Sequence, residues 1–261
     1  MSETNEFYNK IMNWILEQYK ECNKEKLFVG LNAPQGAGKT TLTHHLVKEF
    51  AKLKLNTIAI SIDDFYLTRE NQLQLANKFP NNPYLQQRGY PGTHDIPLGT
   101  QTLSELNHAV DSPIPIPRYN KSAFSGQGDR QPKSSWDSIH PPIHIILLEG
   151  WMLGFQPQNV TSTDPNWQVI DNFLKKYIVW MNFLNAFIYL KAKNNEFIIE
   201  WRKEAEQNMR AKGQTGMSDE EVIKYAEKFL PAYERYSDSI NSSVIQEPFL
   251  EFTLNKNRLP I

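Results

Sequence analysis

The chain contains almost no cysteine, since Cys22 is the only one among its 261 residues. Without a second cysteine, an internal disulfide framework is excluded, and so is a zinc site built on cysteines. The formal net charge is only −1 at pH 7, so the chain also lacks the global field that attracts nucleic acid or an anionic membrane. We therefore expect a protein of a reducing compartment with neither kind of partner.

Long apolar runs are absent as well, and none approaches the length that spans a bilayer. Residues 1–9 are polar and include Glu3 and Glu6, a composition unlike that of a secretory signal or an Arg-rich transit peptide. Hydrophobic residues make up 40% of the chain, enough for a sizeable core. We expect a soluble, cytoplasmic protein with one domain over residues 1–261. Its oligomeric state is left open.

Apolar spacing at the start of the chain predicts alternating helices and strands. Phe7, Ile11, Ile15 and Tyr19 recur every four residues, which is typical of an amphipathic helix. The next predicted elements are a strand over 27–31, a helix over 39–53 and a strand over 57–62. A strand, a glycine-bearing loop, a helix and a second strand in this order indicate a parallel sheet with crossover helices.

The composition changes between residues 80 and 142, where prolines, glycines and polar residues dominate around one predicted helix near 102–110. Such a stretch is too long for a bare loop in a compact domain, so we predict an inserted substrate-binding segment over 80–142. Regular patterns then resume. They predict strands over 143–148, 186–190 and 250–254, helices over 194–211 and 218–236, and a lid over 194–217.

The clearest motif is a phosphate-binding loop. Backbone N–H groups of such a loop cradle phosphate oxygens, and the following helix adds its N-terminal dipole. Lys39 would reach the β- and γ-phosphates of ATP, and the Thr40 hydroxyl would bind Mg²⁺. A chance glycine turn is the alternative, but the loop follows an apolar strand and opens a helix, as a true motif does. The residues that would bind ATP are Ala33, Pro34, Gln35, Gly36, Ala37, Gly38, Lys39, Thr40 and Thr41, with Ala33 in place of the usual first glycine.

Two acidic residues follow predicted strands. Asp63 comes directly after the strand over 57–62, and Glu149 ends the apolar run at 145–148. Ligands of open α/β sheets bind at the carboxyl ends of strands. Asp63 is therefore a candidate base for an acceptor hydroxyl, and Glu149 a candidate to order Mg²⁺ or the nucleophile. A turn aspartate and an ordinary strand-end glutamate are the alternatives.

Together these three elements resemble the P-loop kinases that include uridine kinase, phosphoribulokinase and pantothenate kinase. The blocks at 88–95 and 118–130 are more specific and resemble plant-type D-glycerate 3-kinase and its fungal and cyanobacterial homologues. The likeness continues through 149–155 and 201–236. It implies an ATP-dependent kinase that uses Mg²⁺, with Asp63 as the hydroxyl-activating aspartate. We predict an α/β, P-loop NTPase-type three-layer sandwich with a central parallel sheet, an inserted substrate segment and a helical lid.

A cationic stretch at 112–135 carries four cations against one anion. Arginine pairs carboxylates bidentately, so this stretch favours a small acidic acceptor, of which D-glycerate is the one that the resemblance suggests. A solvated basic loop, or contacts with ATP phosphates, are the alternatives. The residues predicted to bind the acceptor are Asp63, Tyr66, Arg88, His94, Arg118, Lys121 and Arg130.

The predicted helix over 194–211 carries Arg202 and Arg210. In related kinases a mobile lid brings arginine to the phosphates, where it stabilises the charge that develops on the transferred group. We predict that both arginines bind ATP, and the alternative is an exposed charged helix.

Other functions of a P-loop protein remain open. A guanine nucleotide switch would need Asn-Lys-x-Asp, but the run at 255–258 ends in Arg258. A kinase for pantothenate, a nucleoside or a sugar fits the motifs, as does a P-loop ATPase without a small acceptor. A nucleic-acid kinase is disfavoured because no long basic stripe with interleaved aromatics occurs.

Overall fold

The computed structural model describes residues 3–22, 24–158, 164–211, 213, 217–245 and 247–261. The helices are α1 Glu3–Glu21, α2 Lys39–Lys52, α3 Arg69–Lys78, α4 Ile96–His108, α5 Pro165–Leu174, α6 Ile178–Met181, α7 Glu196–Ala211, α8 Asp219–Glu227 and α9 Leu230–Tyr236. The strands are β1 Leu27–Asn32, β2 Thr57–Ser61, β3 Ile114–Ile116, β4 Tyr119–Asn120, β5 Asp129–Arg130, β6 Asp137–Ile139, β7 Ile145–Gly150, β8 Ala186–Ala192 and β9 Phe249–Leu254.

A five-stranded parallel sheet in the order β2-β7-β1-β8-β9 forms the centre of the protein. Strands β1 and β7 are buried along their whole length, as expected for strands covered on both faces. The flanking helices bury apolar faces against the sheet. The predicted α/β fold with a central parallel sheet is thereby confirmed.

The N-terminal helix α1 confirms the four-residue pattern, since Phe7, Ile11 and Ile15 are all buried. The ring of Phe7 meets that of Phe252 on β9 edge to face, with centroids 5.1 Å apart. Such aromatic pairs add about 0.5–1.5 kcal/mol beyond the burial of their area. Helix α1 is therefore fixed to the sheet by its apolar stripe.

Residues 80–142 contain helix α4 and two small antiparallel sheets, β3 with β6 and β4 with β5. The predicted helix over 102–110 in fact begins at Ile96, because Asp95 caps it: its Oδ1 accepts from the Leu98 N–H at 3.1 Å. A side chain that accepts from the first turn is a strong start signal. The substrate-binding role of the segment stays a prediction.

The predicted helix over 218–236 is wrong as a single element. Helix α8 ends at Glu227 and α9 begins at Leu230. Pro231 lies in the first turn of α9, where its missing N–H costs no hydrogen bond, whereas the interior of a longer helix would lose one. The start at Ser218 is as predicted, with a reciprocal capping box between Ser218 and Glu221.

The predicted strand over 143–148 begins two residues later and runs on to Gly150, which places Glu149 inside it. The predicted lid over 194–217 corresponds mainly to α7, and its residues 212 and 214–216 lie outside the described ones. Among the helices of the described ranges, none is long and apolar enough to cross a membrane.

Gly99 shows how tightly α4 packs. A methyl group built on it would lie 2.4 Å from Cζ2 of the buried Trp180. We expect Gly99→Ala to lower the free energy of unfolding, because overpacking a core costs about 1–3 kcal/mol. That loss should exceed the gain of about 1 kcal/mol that alanine brings to a helix over glycine. Urea titration checks this, with Gln101→Ala on the exposed face of α4 as the control. A Gly99→Ala protein more stable than wild type would contradict this packing.

Candidate active site

The phosphate loop joins the end of β1 to the start of α2. Asn32 fixes its entrance by donating from Nδ2 to the carbonyls of Trp151 at 3.2 Å and Leu153 at 2.6 Å. The chain then turns through Gly36 and Gly38, whose φ angles of 77° and 91° are left-handed and favour glycine. No described side chain caps the start of α2, so its first N–H groups face the loop, as an anion site requires.

Lys39 lies inside this loop. Its ammonium donates to the carbonyls of Ala33 at 2.9 Å and Pro34 at 3.1 Å. Burial lowers the pKa of Lys39, while the carboxylates of Glu149 and Asp63 raise it. The lysine, the loop and two acidic groups therefore share one electrostatic environment. Thr40 and Thr41 lie on the exposed first turn of α2.

Glu149 lies beside Leu31 and Ser61 in the register of the sheet. The Ser61 hydroxyl donates to its carboxylate, and burial raises the pKa of Glu149 against the opposing charge of Lys39. The carboxylate is buried, and within the described part of the chain its Oε2 has no hydrogen-bond partner. Burying a polar atom without a hydrogen bond costs about 1–3 kcal/mol of stability, and more when the group is charged. Glu149 thus offers an open ligand position at the phosphate loop.

Asp63 follows β2 directly, within a short turn that Ser61 begins by accepting from the Asp63 N–H at 3.3 Å. The Lys121 ammonium lies 2.5 Å from Asp63 Oδ2, and the Tyr66 hydroxyl also donates to the carboxylate. Burial would raise the pKa of Asp63, but the Lys121 charge and these hydrogen bonds hold it at about 2. The Lys121 side chain itself is 56% exposed, so solvent screens this pair on one side.

His94 stacks on Tyr66, with ring centroids 4.4 Å apart. The Tyr177 oxygen accepts the Gly92 N–H at 3.0 Å and lies 2.7 Å from His94 Nδ1, and we assign the Tyr177 proton to that second bond. Burial lowers the pKa of His94 to about 4, which keeps the ring neutral at pH 7. The ring proton therefore sits on Nε2, which is buried and has no acceptor among the described residues. His94 is left with one free donor.

The three arginines predicted to bind the acceptor each contact the protein itself. Arg118 bonds Asp64 at 2.9 Å and Asp137 at 2.6 Å, and Arg130 bonds Asp95 at 3.0 Å.

Backbone carbonyls are the other acceptors of these arginines. Arg130 donates to the Tyr66 carbonyl, and Arg88 donates to the carbonyls of Gly126, Gln127 and Lys121. These guanidinium groups hold the 118–130 segment against Asp63. Lys121 is the cation of that segment that reaches Asp63 directly.

The two arginines of α7 lie in different places. Arg202 is at the phosphate loop, because its backbone nitrogen would lie 3.0 Å from a methyl group on Gly36. Its side chain pairs with the buried Glu206 at 3.0 Å. Arg210 instead pairs with Asp219 at 2.5 Å and donates to the Met217 carbonyl, at the junction of α7 and α8.

Sequence reasoning missed several residues that border the loop. Tyr233 on α9 accepts from the Gln35 N–H at 3.0 Å, and Arg258 donates from Nε to the Gly36 carbonyl at 2.9 Å. Tyr225 on α8 lies under Arg202, whose guanidinium carbon is 5.4 Å from the ring centroid. None of the three follows a motif, and only the tertiary fold brings α8, α9 and the chain end to the loop.

Comparison with known proteins gives consistent relatives. The chloroplastic D-glycerate 3-kinase of Arabidopsis thaliana is 43% identical over 216 residues, which are 80% of this chain and 47% of that protein. A kinase of Schizosaccharomyces pombe is 33% identical over all of this chain and 99% of its own length. The structure of a D-glycerate 3-kinase from Cryptococcus neoformans var. grubii matches with a TM-score of 0.87 at 30% identity, over 97% of both chains. No family model matches the chain. The chain thus spans about half of the plant relative and nearly all of the two fungal ones.

The contact of α7 with the phosphate loop can be tested at two glycines. A methyl group on Gly36 would lie 2.7 Å from Cβ and 2.8 Å from the carbonyl carbon of Trp201, whereas one on Gly38 meets no atom closer than 3.8 Å. We expect Gly38→Ala to lower the free energy of unfolding by the left-handed backbone cost alone, about 1–2 kcal/mol. Gly36→Ala should cost about 1–3 kcal/mol more, because it also displaces α7. Denaturant titration without nucleotide measures both, and equal losses would show that α7 does not rest on the loop.

Proposed function

Because the chain belongs to the D-glycerate 3-kinase family of P-loop kinases, we propose that it transfers the γ-phosphoryl group of ATP to a hydroxyl of D-glycerate, giving 3-phosphoglycerate. The observation that carries this proposal is the position of Asp63. This ionised carboxylate lies beside the phosphate loop and is paired with a half-exposed cation, Lys121. A base and a carboxylate-binding group are what an acidic hydroxyl acceptor needs.

In the proposed reaction, the acceptor hydroxyl oxygen forms a bond to the γ-phosphorus as the bond from that phosphorus to the β,γ-bridging oxygen breaks. The hydroxyl proton passes to an oxygen of Asp63, and ADP carries away the electron pair of the broken bond. Asp63 with a pKa of about 2 is ionised at neutral pH but weakly basic. If the acceptor carboxylate draws Lys121 away, burial is less opposed and the pKa of Asp63 rises toward the range of a useful base.

On the nucleotide side, we assign residues Ala33 to Thr41 to the ATP phosphates. Backbone N–H groups of the loop would hold the phosphate oxygens, and Lys39 would exchange its carbonyl partners for them. Arg202 is the α7 arginine close enough to affect the charge state of Lys39, which supports an ATP contact for it. Arg210 is occupied by Asp219, so its predicted ATP contact would need that pair to open.

The residues at the loop also fit Mg²⁺. Glu149 has a buried oxygen without a described partner, and the Thr40 hydroxyl lies exposed on the first turn of α2. The described ranges hold no group of three His, Cys, Asp or Glu side chains that could form a dedicated metal cage. Mg²⁺ suits such a site, because it keeps several waters and needs only one or two protein groups besides substrate phosphates. When bound, it would neutralise charge on the phosphates during the transfer.

On the acceptor side, we assign the carboxylate to Lys121, with Nε2–H of His94 as a neutral donor nearby, while the Tyr66 hydroxyl stays on Asp63. Arg88, Arg118 and Arg130 would support these groups by holding their segment in place, through the contacts described above. The cytoplasmic location predicted from the sequence stays a prediction.

The proposed function is tested by phosphoryl transfer to D-glycerate and to glycerol, which lacks the carboxylate. A site whose cation pairs a carboxylate leaves that charge unpaired with glycerol, so kcat/KM for D-glycerate should be at least about 10²-fold higher. Release of ADP and formation of the phosphorylated product are measured together, with Lys39→Ala as the control for contaminating activity. Equal rates with both acceptors, or ADP release without product, would remove the glycerate assignment.

Removing Lys121 should change both acceptor binding and the pH profile. For Lys121→Met we expect KM for D-glycerate to rise about tenfold or more, because a charge-assisted hydrogen bond is lost. Without Lys121 the effect of burial on Asp63 is less opposed, so the pKa of Asp63 in the free enzyme rises and kcat/KM on the acidic side falls at a higher pH than in wild type. Initial rates between pH 4 and 8 measure this. Lys133→Met, an exposed cation of the same segment, should leave both quantities unchanged. If the acidic limb of the Lys121→Met profile is not shifted, the protonation state of Asp63 does not control the rate.

A further inference from the structure

Tyr225 is an aromatic residue beside the site that takes no part in the proposed reaction. It lies near the end of α8, and its ring contacts that of Phe229 with centroids 5.1 Å apart. Phe229 in turn fills the space beside Gly89, where a methyl group would lie 2.6 Å from its ring. Gly89 follows Arg88, whose guanidinium holds the Lys121 carbonyl. This side of Tyr225 therefore borders the acceptor segment.

The other side of Tyr225 borders the phosphate loop. The Arg202 guanidinium carbon lies 5.4 Å from the centroid of its ring, within the range of a cation–π contact. The backbone of Arg202 packs against Gly36 of the loop. Tyr225 is thus a side chain of α8 that stands between the proposed nucleotide and acceptor subsites.

Tyr225 also lies within electrostatic reach of the groups around Asp63. When ionised, it raises the pKa of both Lys121 and Tyr66, the two residues that hydrogen-bond the Asp63 carboxylate. Tyr225 is only partly exposed, and its hydroxyl makes no hydrogen bond to any residue that the structure describes. The Tyr225 oxygen is not among the buried atoms without a partner, so solvent reaches it and a polar group of a ligand can take the place of that solvent.

D-glycerate presents three polar groups to such a site. The hydroxyl that is phosphorylated belongs at Asp63, and the carboxylate belongs at Lys121, as proposed above. The remaining hydroxyl, on the central carbon, needs a third partner that approaches from another direction. On the premise of the proposed function, we propose that Tyr225 is a specificity-determining residue. Its hydroxyl hydrogen-bonds the acceptor hydroxyl that is not phosphorylated. The carboxylate, the central hydroxyl and the CH2OH group are all substituents of the same chiral carbon. A site that fixes all three therefore also distinguishes D- from L-glycerate.

The ring and the hydroxyl of Tyr225 have separable effects. Tyr225→Phe keeps the ring under Arg202 and removes only the hydroxyl, so KM for ATP should stay unchanged. Tyr225→Leu removes the ring as well, so KM for ATP should rise through the loss of the Arg202 contact. Tyr19→Phe on α1, a half-buried tyrosine at the His144 ring, is the matched control for the loss of a hydroxyl.

The experiment compares kcat/KM for D-glycerate, L-glycerate and 3-hydroxypropionate, which lacks the central hydroxyl, in wild type and the three variants. Wild type should prefer D-glycerate over both other acceptors. Tyr225→Phe should reduce each preference about tenfold, chiefly by a loss with D-glycerate and not with 3-hydroxypropionate. Thermal unfolding of each variant verifies that the fold is retained.

Two results would overturn the assignment of Tyr225. If the preferences are unchanged in Tyr225→Phe, the hydroxyl does not read the acceptor. If all three acceptors lose rate equally, Tyr225 only supports the structure. Failure of the proposed function looks different, because wild type itself would then transfer no phosphoryl group to D-glycerate, and both proposals would fall.

Discussion

Parallel pairing forces Leu31, Glu149 and Ser61 to lie side by side on β1, β7 and β2. The three strands therefore end at the same edge, and whatever follows each strand is gathered there. This one constraint brings together the phosphate loop, Glu149 and Asp63 from three distant parts of the sequence. The approach is close, since a methyl group on Gly150 would lie 2.4 Å from Ile62. A larger residue at position 150 would push the end of β7 away from the turn that carries Asp63.

Gathering charges at a buried edge requires that they compensate one another. Burial raises the pKa of both Glu149 and Asp63, but their partners differ. Lys39 opposes the shift at Glu149 without reversing it, whereas Lys121 and Tyr66 bring the pKa of Asp63 to about 2. Two carboxylates at one edge are thereby given different proton affinities. Separation of this kind is how neighbouring acids acquire different roles.

Much of this could be predicted from the sequence, because it depends on local patterns. The apolar spacing of α1, the run of β7 and the capping box at Ser218 each act within a few residues, and the structure has all three. Helix α3 was not predicted because it has no buried residue and hence no apolar stripe. The division between α8 and α9 was missed because the amphipathic pattern outweighed Pro231.

In the site, too, only local features can be predicted from the sequence. The loop, Asp63 and Glu149 follow strands and can be located by motif, whereas the sequence does not show which residue a cation will pair with. Arg118 and Arg130 are predicted as acceptor contacts from the resemblance of their block and from its charge, and neither signal indicates that Asp64, Asp137 and Asp95 pair with them in the fold. Pairs across so many residues leave no trace in composition or spacing. Tyr225 and Tyr233 were missed for the same reason.

The hairpin of α7 and α8 explains how the two proposed subsites can affect each other. Arg202 makes one hydrogen bond to Glu206, while Arg202 Nε and Glu206 Oε2 stay buried without partners among the described residues. A bidentate pair would satisfy both atoms, so this pair leaves donor capacity unused on the guanidinium. A phosphate oxygen could therefore be added as a second acceptor while the bond to Glu206 is kept. The same guanidinium covers the ring of Tyr225. Whatever fixes Arg202 at the phosphate loop therefore also fixes Tyr225, the residue proposed to bind the acceptor.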